Sequence, residues 1–380
     1  MKTRILLCLA AGLLFSQPLR AQDPPSTDPW MKWDLATGDW FGNRPLLGNE
    51  GLDFTATYTA QVWGNTVGGL RQGATYIGLL QFGVAADLEK AIGWQGGSFN
   101  TTWIWISGNQ PGPMLVGSNF GISTFEGSAC FRALDLWLQQ KLFSDQLTLR
   151  AGMFNVDAEF TVSEQASLFQ YNGFGWPILY NGDTAGPPAY PYAAPGVYAA
   201  VEPGGGWKFQ AAAMQGNALP DDVNPTNFAW EFDQENGCLL IGEAWYGWDK
   251  ARLPGTFKLG AMFETGSSPI SDGTGNAWGS SFFYGIIDQW LFREAGSGDD
   301  NPQGLAWFGR SLFTGSPDRS PLSFLFNTGF TYTGPIPGRD QDAAGIALCW
   351  DTLTSGAAQD LSGPEPGLEM VLEATYQAQI

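Results

Sequence analysis

Leu52-Asp53-Phe54-Thr55-Ala56-Thr57-Tyr58-Thr59-Ala60-Gln61-Val62 is the stretch that decides how this chain folds. Apolar or small residues hold the even positions and polar residues the odd ones. A β-strand is the regular element whose side chains alternate with period two, so one face is apolar and the other wet. At ~3.3 Å per residue and a tilt near 40°, such a segment covers the ~25 Å apolar band of an outer-membrane barrel. The far end repeats the pattern: Leu368, Met370, Leu372, Ala374, Tyr376, Ala378 and Ile380 share one face, opposite Glu369, Glu373, Thr375, Gln377 and Gln379. Carboxylates opposite an apolar stripe suit a strand between lipid and a water-filled lumen. A soluble strand tolerates them too, so repetition along the chain separates the two readings.

Similar segments recur to give about fourteen strands between residues 52 and 380. Tight links such as Ser144-Asp145-Gln146 and Pro203-Gly204-Gly205 are interleaved with long connections at 108–131, 155–194 and 215–238. Short turns on one rim and long loops on the other are the layout of an outer-membrane barrel, with the short turns periplasmic. Aromatics make up 14% of the chain and charged residues only 14%, with 51 Gly and 17 Trp; an ordinary soluble domain carries roughly 25% charged residues. After residue 21 no apolar run is long enough for a membrane-spanning helix, and a closed barrel is the other way to satisfy every backbone group in lipid.

Lys2 and Arg4, the apolar run from Ile5 to Phe15 and the small residue Ala21 read as a secretory signal over 1–21. The division that follows is 1–21 signal, 22–51 periplasmic N-terminal segment and 52–380 barrel. Export predicts Gln22 at the mature N-terminus, and N-terminal sequencing that found Met1 retained on membrane-derived protein would contradict it. Losing Lys2, Arg4 and Arg20 takes the net charge from −19 to −22, which excludes nucleic acid as a partner, since that binding rests on clustered Lys and Arg. Cys130, Cys238 and Cys349 are widely spaced and read as isolated thiols. Histidine is absent, which removes the usual general base of a Ser or Cys nucleophile and the commonest metal ligand. The chain therefore reads as no enzyme, with no metal and no cofactor.

Several stretches resemble the carbohydrate-selective porins of the OprB type. They run from Gly38-Asp39-Trp40-Phe41-Gly42-Asn43-Arg44 through Gly68-Gly69-Leu70-Arg71-Gln72-Gly73-Ala74-Thr75-Tyr76, Asp87-Leu88-Glu89-Lys90 and Gly93-Trp94-Gln95-Gly96-Gly97-Ser98-Phe99. Ala158-Glu159-Phe160, Phe174-Gly175-Trp176-Pro177, Pro188-Ala189-Tyr190-Pro191, Ala194-Pro195-Gly196-Val197 and Glu373-Ala374-Thr375-Tyr376-Gln377-Ala378-Gln379 follow in the family's order. The resemblance implies an all-β, 16-stranded transmembrane antiparallel barrel of the porin type in a Gram-negative outer membrane. It also implies passive diffusion of sugars through a constriction lined with charged and aromatic side chains. Family members continue for two more strands past the segment resembling 375–379, so the expectation here is a sheet of about fourteen strands with no regular ladder between the first and the last.

Strand phase then nominates the sugar path. Leu134, Leu136 and Leu138 toward lipid leave Asp135 and Trp137 inside; Leu147, Leu149, Ala151 and Met153 leave Arg150 inside. By the same logic Glu243 and Glu264 point inward. The 155–194 loop, the longest, is expected to fold into the barrel and bring Asp157, Glu159 and Trp176 to the path, with Arg71 from the first loop. Asp272-Gly273-Thr274-Gly275-Asn276 and Asp299-Asp300-Asn301 lack the spacing of an established calcium loop and read as turns. Partners are sugars as permeants and outer-membrane lipid; a homo-oligomer stays open, because a subunit interface and a lipid face are both apolar. A general diffusion porin is the alternative function, and a secreted soluble β-protein that binds glycans a more distant one.

Overall fold

The computed structural model describes residues 35, 37–118, 120–177, 186–250, 253–270, 274–297, 302–353 and 368–379. The signal segment, Asp272-Gly273 and Asp299-Asp300-Asn301 lie outside them. Fourteen antiparallel strands form one sheet in strict chain order. They are β1 (Leu52–Asn65), β2 (Gly73–Asp87), β3 (Gly97–Gly108), β4 (Cys130–Leu142), β5 (Leu147–Phe154), β6 (Ala194–Gly204), β7 (Trp207–Gln215), β8 (Cys238–Lys250), β9 (Leu253–Pro269), β10 (Asn276–Arg293), β11 (Gly304–Thr314), β12 (Leu322–Thr333), β13 (Ala343–Leu353) and β14 (Leu368–Gln377).

Register carries the outward face from strand to strand. Tyr58 pairs with Leu80 and Ala56 with Phe82; Phe82 pairs with Trp103. Leu138, Leu149, Val197, Leu240, Leu259 and Ile346 stand on this face, each between 41% and 55% exposed. A contiguous apolar surface of this extent is foreign to a water-soluble monomer and suits lipid. Aromatic rings flank it. Near the short turns Trp207 lies 4.8 Å from Tyr246 and Tyr246 lies 6.1 Å from Trp248; toward the long-loop rim Trp103 stacks on Phe131 at 5.5 Å. Leu259 sits mid-strand, so Leu259→Arg should cost about 2–4 kcal/mol. Thr57→Arg on the inner face should leave folding intact, and urea titration of refolded barrels that found equal costs would reverse the assignment of faces.

The turns on one rim are tight because the chain is built to make them. Gly204, Gly205 and Gly206 all take left-handed φ, at 91°, 65° and 84°, and a Cβ on Gly206 would lie 2.2 Å from the carbonyl oxygen of Gly247. No L side chain fits there. Between β2 and β3 the Asp87 carboxylate caps a short helix, α1 (Leu88–Ile92), by accepting from the backbone N–H groups of Glu89 and Lys90.

One expected phase fails. Leu134 does not face lipid: β3 pairs Thr102 with Asp135 but Trp103 with Ala133, so Leu134 is the extra residue of a β-bulge. The bulge turns Leu134 inward, where it is buried with Ile77, Leu79, Ile104, Ile106 and Phe125. Beyond it the alternation resumes, which is why Asp135, Trp137, Leu136 and Leu138 keep their expected sides.

Among the described residues, β1 pairs only with β2 and β14 only with β13, and no ladder joins β1 to β14. Side chains and the long loop bridge the two edges instead. Glu373 on β14 accepts from the Gln170 and Tyr171 N–H groups at 2.7 and 2.9 Å, and Gln61 on β1 donates to the Gln170 side chain at 2.5 Å.

Candidate functional site

The chain leaving β5 runs inward. Its apolar residues Phe160, Phe169, Tyr171 and Phe174 pack against Leu239, Ile241, Met262, Phe282, Phe308 and Leu325 from β8 to β12. Those wall residues occupy inward positions, so this half of the inner wall is apolar rather than wet. It is apolar because a second layer of chain covers it, and burial of each large side chain contributes about 1.5–3 kcal/mol.

Burying a loop also buries its peptide groups, which must then find partners. The wall supplies them. Arg310 donates to the carbonyls of Thr161, Gly175 and Gly173 at 2.9, 2.8 and 2.8 Å, and Asn327 also donates to Gly173 at 2.8 Å. Lys258 Nζ donates to the Val162 carbonyl at 2.7 Å. Asp288 accepts from the Ser163 hydroxyl at 2.6 Å, and Glu243 from the Thr161 N–H at 3.3 Å. With Glu373 at the far side, the segment from 155 to 177 is fastened from β8 round to β14.

Across from this covered wall, on the short-turn side of the Leu134 cluster, the inner face of β1 to β5 stays polar and reached by solvent: Thr55 and Thr57 are exposed, and Asn100, Thr102, Asp135, Trp137 and Gln139 are half-buried. Here Arg150 is the focal group. Its guanidinium donates to Glu159 at 2.7 Å and to Gln139 at 3.2 and 3.0 Å, and it lies 4.4 Å from the Trp137 ring centroid and 5.0 Å from that of Tyr198. Tyr198 donates to Gln210 at 2.8 Å; Gln210 donates onward to the Glu159 carbonyl at 2.7 Å and to Glu243 at 3.0 Å. Glu243 also accepts from the Tyr284 hydroxyl at 2.7 Å and from Trp245. The result is a connected array of donors, acceptors and aromatic faces where the loop meets the polar wall.

Of the nine residues nominated from sequence, Asp135, Trp137, Arg150, Glu159 and Glu243 lie in or beside this array. Trp176 is part of the infolded chain and packs against its apolar layer. Arg71 is exposed in the first loop, where its backbone N–H donates to Leu115, away from the array. Glu264 points inward but is buried, with one carboxylate oxygen lacking a hydrogen-bond partner. Asp157 turns to the loop's own backbone, accepting from the Asn155 side chain at 2.6 Å and from the Tyr190 N–H at 3.0 Å. Sequence reasoning missed Arg310, Asn327, Lys258, Asp288 and Gln210, which hold the loop. The three cysteines are free thiols, and no metal-binding cluster occurs among the described residues.

Asp157 makes the loop sensitive to pH. Burial pushes its carboxyl up, against the pull of the Asn155 amide and the Tyr190 N–H. A carboxyl raised above its unfolded value favours the packed loop below the ordinary carboxylate range, and that advantage fades as pH rises through the raised value. Asp157→Asn keeps an acceptor for both donors and removes the ionisation. The parent loop should be cut faster at pH 8 than at pH 4, and Asp157→Asn should narrow that difference; a difference unchanged by Asp157→Asn would contradict this.

Comparison with known proteins places these features. The chain is 25% identical over 366 residues to Porin B of Pseudomonas aeruginosa, covering 84% of this chain and 74% of that protein. It is 24% identical over 379 residues to the putative porin QuiX of Acinetobacter baylyi, covering 90% and 78%. A structure of Pseudomonas putida OprB at high pH superposes with a TM-score of 0.72 and 21% identity, over 87% of this chain and 82% of that one. It shares the fold. The profile of the family described as carbohydrate-selective porin, OprB family, matches residues 71–380. The chain thus belongs to the OprB family of carbohydrate-selective porins.

Proposed function

We propose that sugars cross this outer-membrane porin between the infolded loop and the polar wall of β1 to β5, and that Arg150 with Glu159, Gln139 and Trp137 forms the narrow point. The observation that carries the reading is the Arg150 array. A neutral sugar presents hydroxyls that both donate and accept and a fairly apolar ring face. The array offers guanidinium donors, carboxylate and amide acceptors, and an indole in one place. A few hydrogen bonds and one ring contact of this kind hold a sugar weakly enough for it to leave, as conduction requires.

The work is passive. Nothing in the array pairs a nucleophile with a base, and the chain has no histidine to serve as one. The outward apolar face and its aromatic flanks support insertion in the outer membrane of a Gram-negative cell, with lipid against β4 to β13.

Proteoliposome swelling tests the reading. Liposomes carrying the protein should swell in isotonic glucose, and Arg150→Ala should change the rate several-fold while leaving small-ion leakage in place, a loss on the order of one charged hydrogen-bond partner. Equal swelling in glucose and in a non-sugar solute of the same size, untouched by Arg150→Ala, would support a general diffusion porin instead.

A further inference from the structure

Nearer the short-turn rim, below the Arg150 array, the inner wall holds a separate cavity of about 410 Å3. Its lining includes Glu202, Lys208, Trp245, Gly247 and Thr256. Register places them on one face: Lys208 pairs with Trp245, Trp245 with Lys258, and Gly247 with Thr256. The intervening Tyr246 and Phe257 point outward, so these residues face the lumen; Trp207, beside the turn, borders the cavity where it opens at the rim.

The cavity brings together a cation, a carboxylate and the Trp245 ring, whose N–H donates to Glu243. The Lys208 ammonium lies 4.4 Å from the Trp245 ring centroid and forms no ion pair with a described residue. Glu202 is exposed at the rim. The Thr256 hydroxyl oxygen, just behind this lining, is enclosed and has no hydrogen-bond partner. Gly247 leaves room. A Cβ built there would meet nothing closer than 3.8 Å, and its backbone is not left-handed, so neither packing nor conformation demands glycine. Pockets of a few hundred Å3 with an aromatic wall and a few polar groups are of small-ligand size. One cation and one carboxylate lining the same cavity favour a neutral ligand rich in hydroxyls over an anion or a cation.

We propose that this cavity is a second carbohydrate site at the periplasmic mouth, sized for one neutral hexose and adjoining the Arg150 array through Trp245. It rests on the reading that sugars cross this pore, and deepens it: a sugar that has passed the narrow point is held once more before release. Entry from the periplasmic side meets this site first, so block from that side should report on it.

The test uses the full chain in oriented planar bilayers, with glucose added to one side at a time and the half-blocking concentration read from the ion current. Gly247→Val fills the cavity with a residue that strands favour, and the pair Lys208→Met and Glu202→Gln removes its polar rim without touching the loop. Each should raise the periplasmic half-blocking concentration about tenfold, as expected for losing one or two hydrogen-bonding partners, while block from the extracellular side changes by less than about twofold. Parent block from both sides with periplasmic block unmoved by either variant would overturn the second site and leave the sugar reading standing. Absence of glucose block in the parent from either side would overturn both.

Discussion

Arg310→Met should open the pore. In the parent, one buried guanidinium holds the infolded segment by three backbone carbonyls, those of Thr161, Gly173 and Gly175. Methionine matches much of the volume and donates nothing, so three carbonyls in an apolar layer lose their charged donor. Hydrogen bonds to charged groups contribute about 1.5–3 kcal/mol each, and an acceptor left unsatisfied by truncation costs about 1–3 kcal/mol. Non-additivity among three bonds sharing one donor brings the net to about 4 kcal/mol, enough to populate a detached loop. Single-channel conductance should rise and become noisy, with brief returns to the parent level. Arg310→Lys, which keeps the charge but cannot fork to three acceptors, should fall between the two. A quiet channel of parental conductance in Arg310→Met would mean that the apolar packing alone holds the segment.

Deleting the segment from Val156 to Trp176 should have a larger and two-sided effect. Removing the layer that narrows the lumen raises conductance and abolishes sugar block. It also uncovers Leu239, Ile241, Met262, Phe282, Phe308 and Leu325, which pack against the segment in the parent. At about 1.5–3 kcal/mol for each large side chain returned to water, the barrel loses on the order of 10 kcal/mol of burial. The temperature at which the folded band disappears on unboiled gels should therefore drop markedly. Higher conductance with unchanged heat stability would contradict the two-layer wall; unchanged conductance would contradict the constriction itself.

The contrast between what the chain declared and what it concealed follows from this second layer. β1, β5 and β14 alternate cleanly because one face is an exposed apolar surface and the other a polar lumen, so their phases, and with them the inward position of Arg150, were readable directly. β11 reads Gly-Leu-Ala-Trp-Phe-Gly-Arg-Ser-Leu-Phe-Thr, apolar on both faces. Its Trp307 and Phe313 point outward while its inward Phe308 and Leu312 meet the loop. Alternation vanishes wherever a strand is covered on both sides, and Arg310 was hidden within it. A strand apolar on both faces in an otherwise alternating barrel is itself the signal of an inner cover, and Arg310 interrupting it is the signal of a fastening point. Leu134 was misplaced for a different reason: a bulge inserts one residue without any mark in composition. Asp157 was nominated by its neighbourhood in the loop; its actual partners, Asn155 and Tyr190, depend on how the returning chain folds back, which spacing alone does not encode.

At the proposed narrow point of this chain of net charge −19, the cations present are each engaged by the protein. Arg150 is matched by Glu159, while Lys258 and Arg310 direct their charge to loop carbonyls. The proposed path therefore offers hydrogen bonds of both senses, which suits an uncharged permeant rich in hydroxyls.

The most direct measurement is the ion current through single channels of the parent protein as glucose is titrated in, repeated with Arg150→Ala. The account predicts a saturable fall in parent current that Arg150→Ala shifts to higher concentration from both sides of the bilayer. A current indifferent to glucose, or a block that Arg150→Ala leaves unchanged, would contradict it.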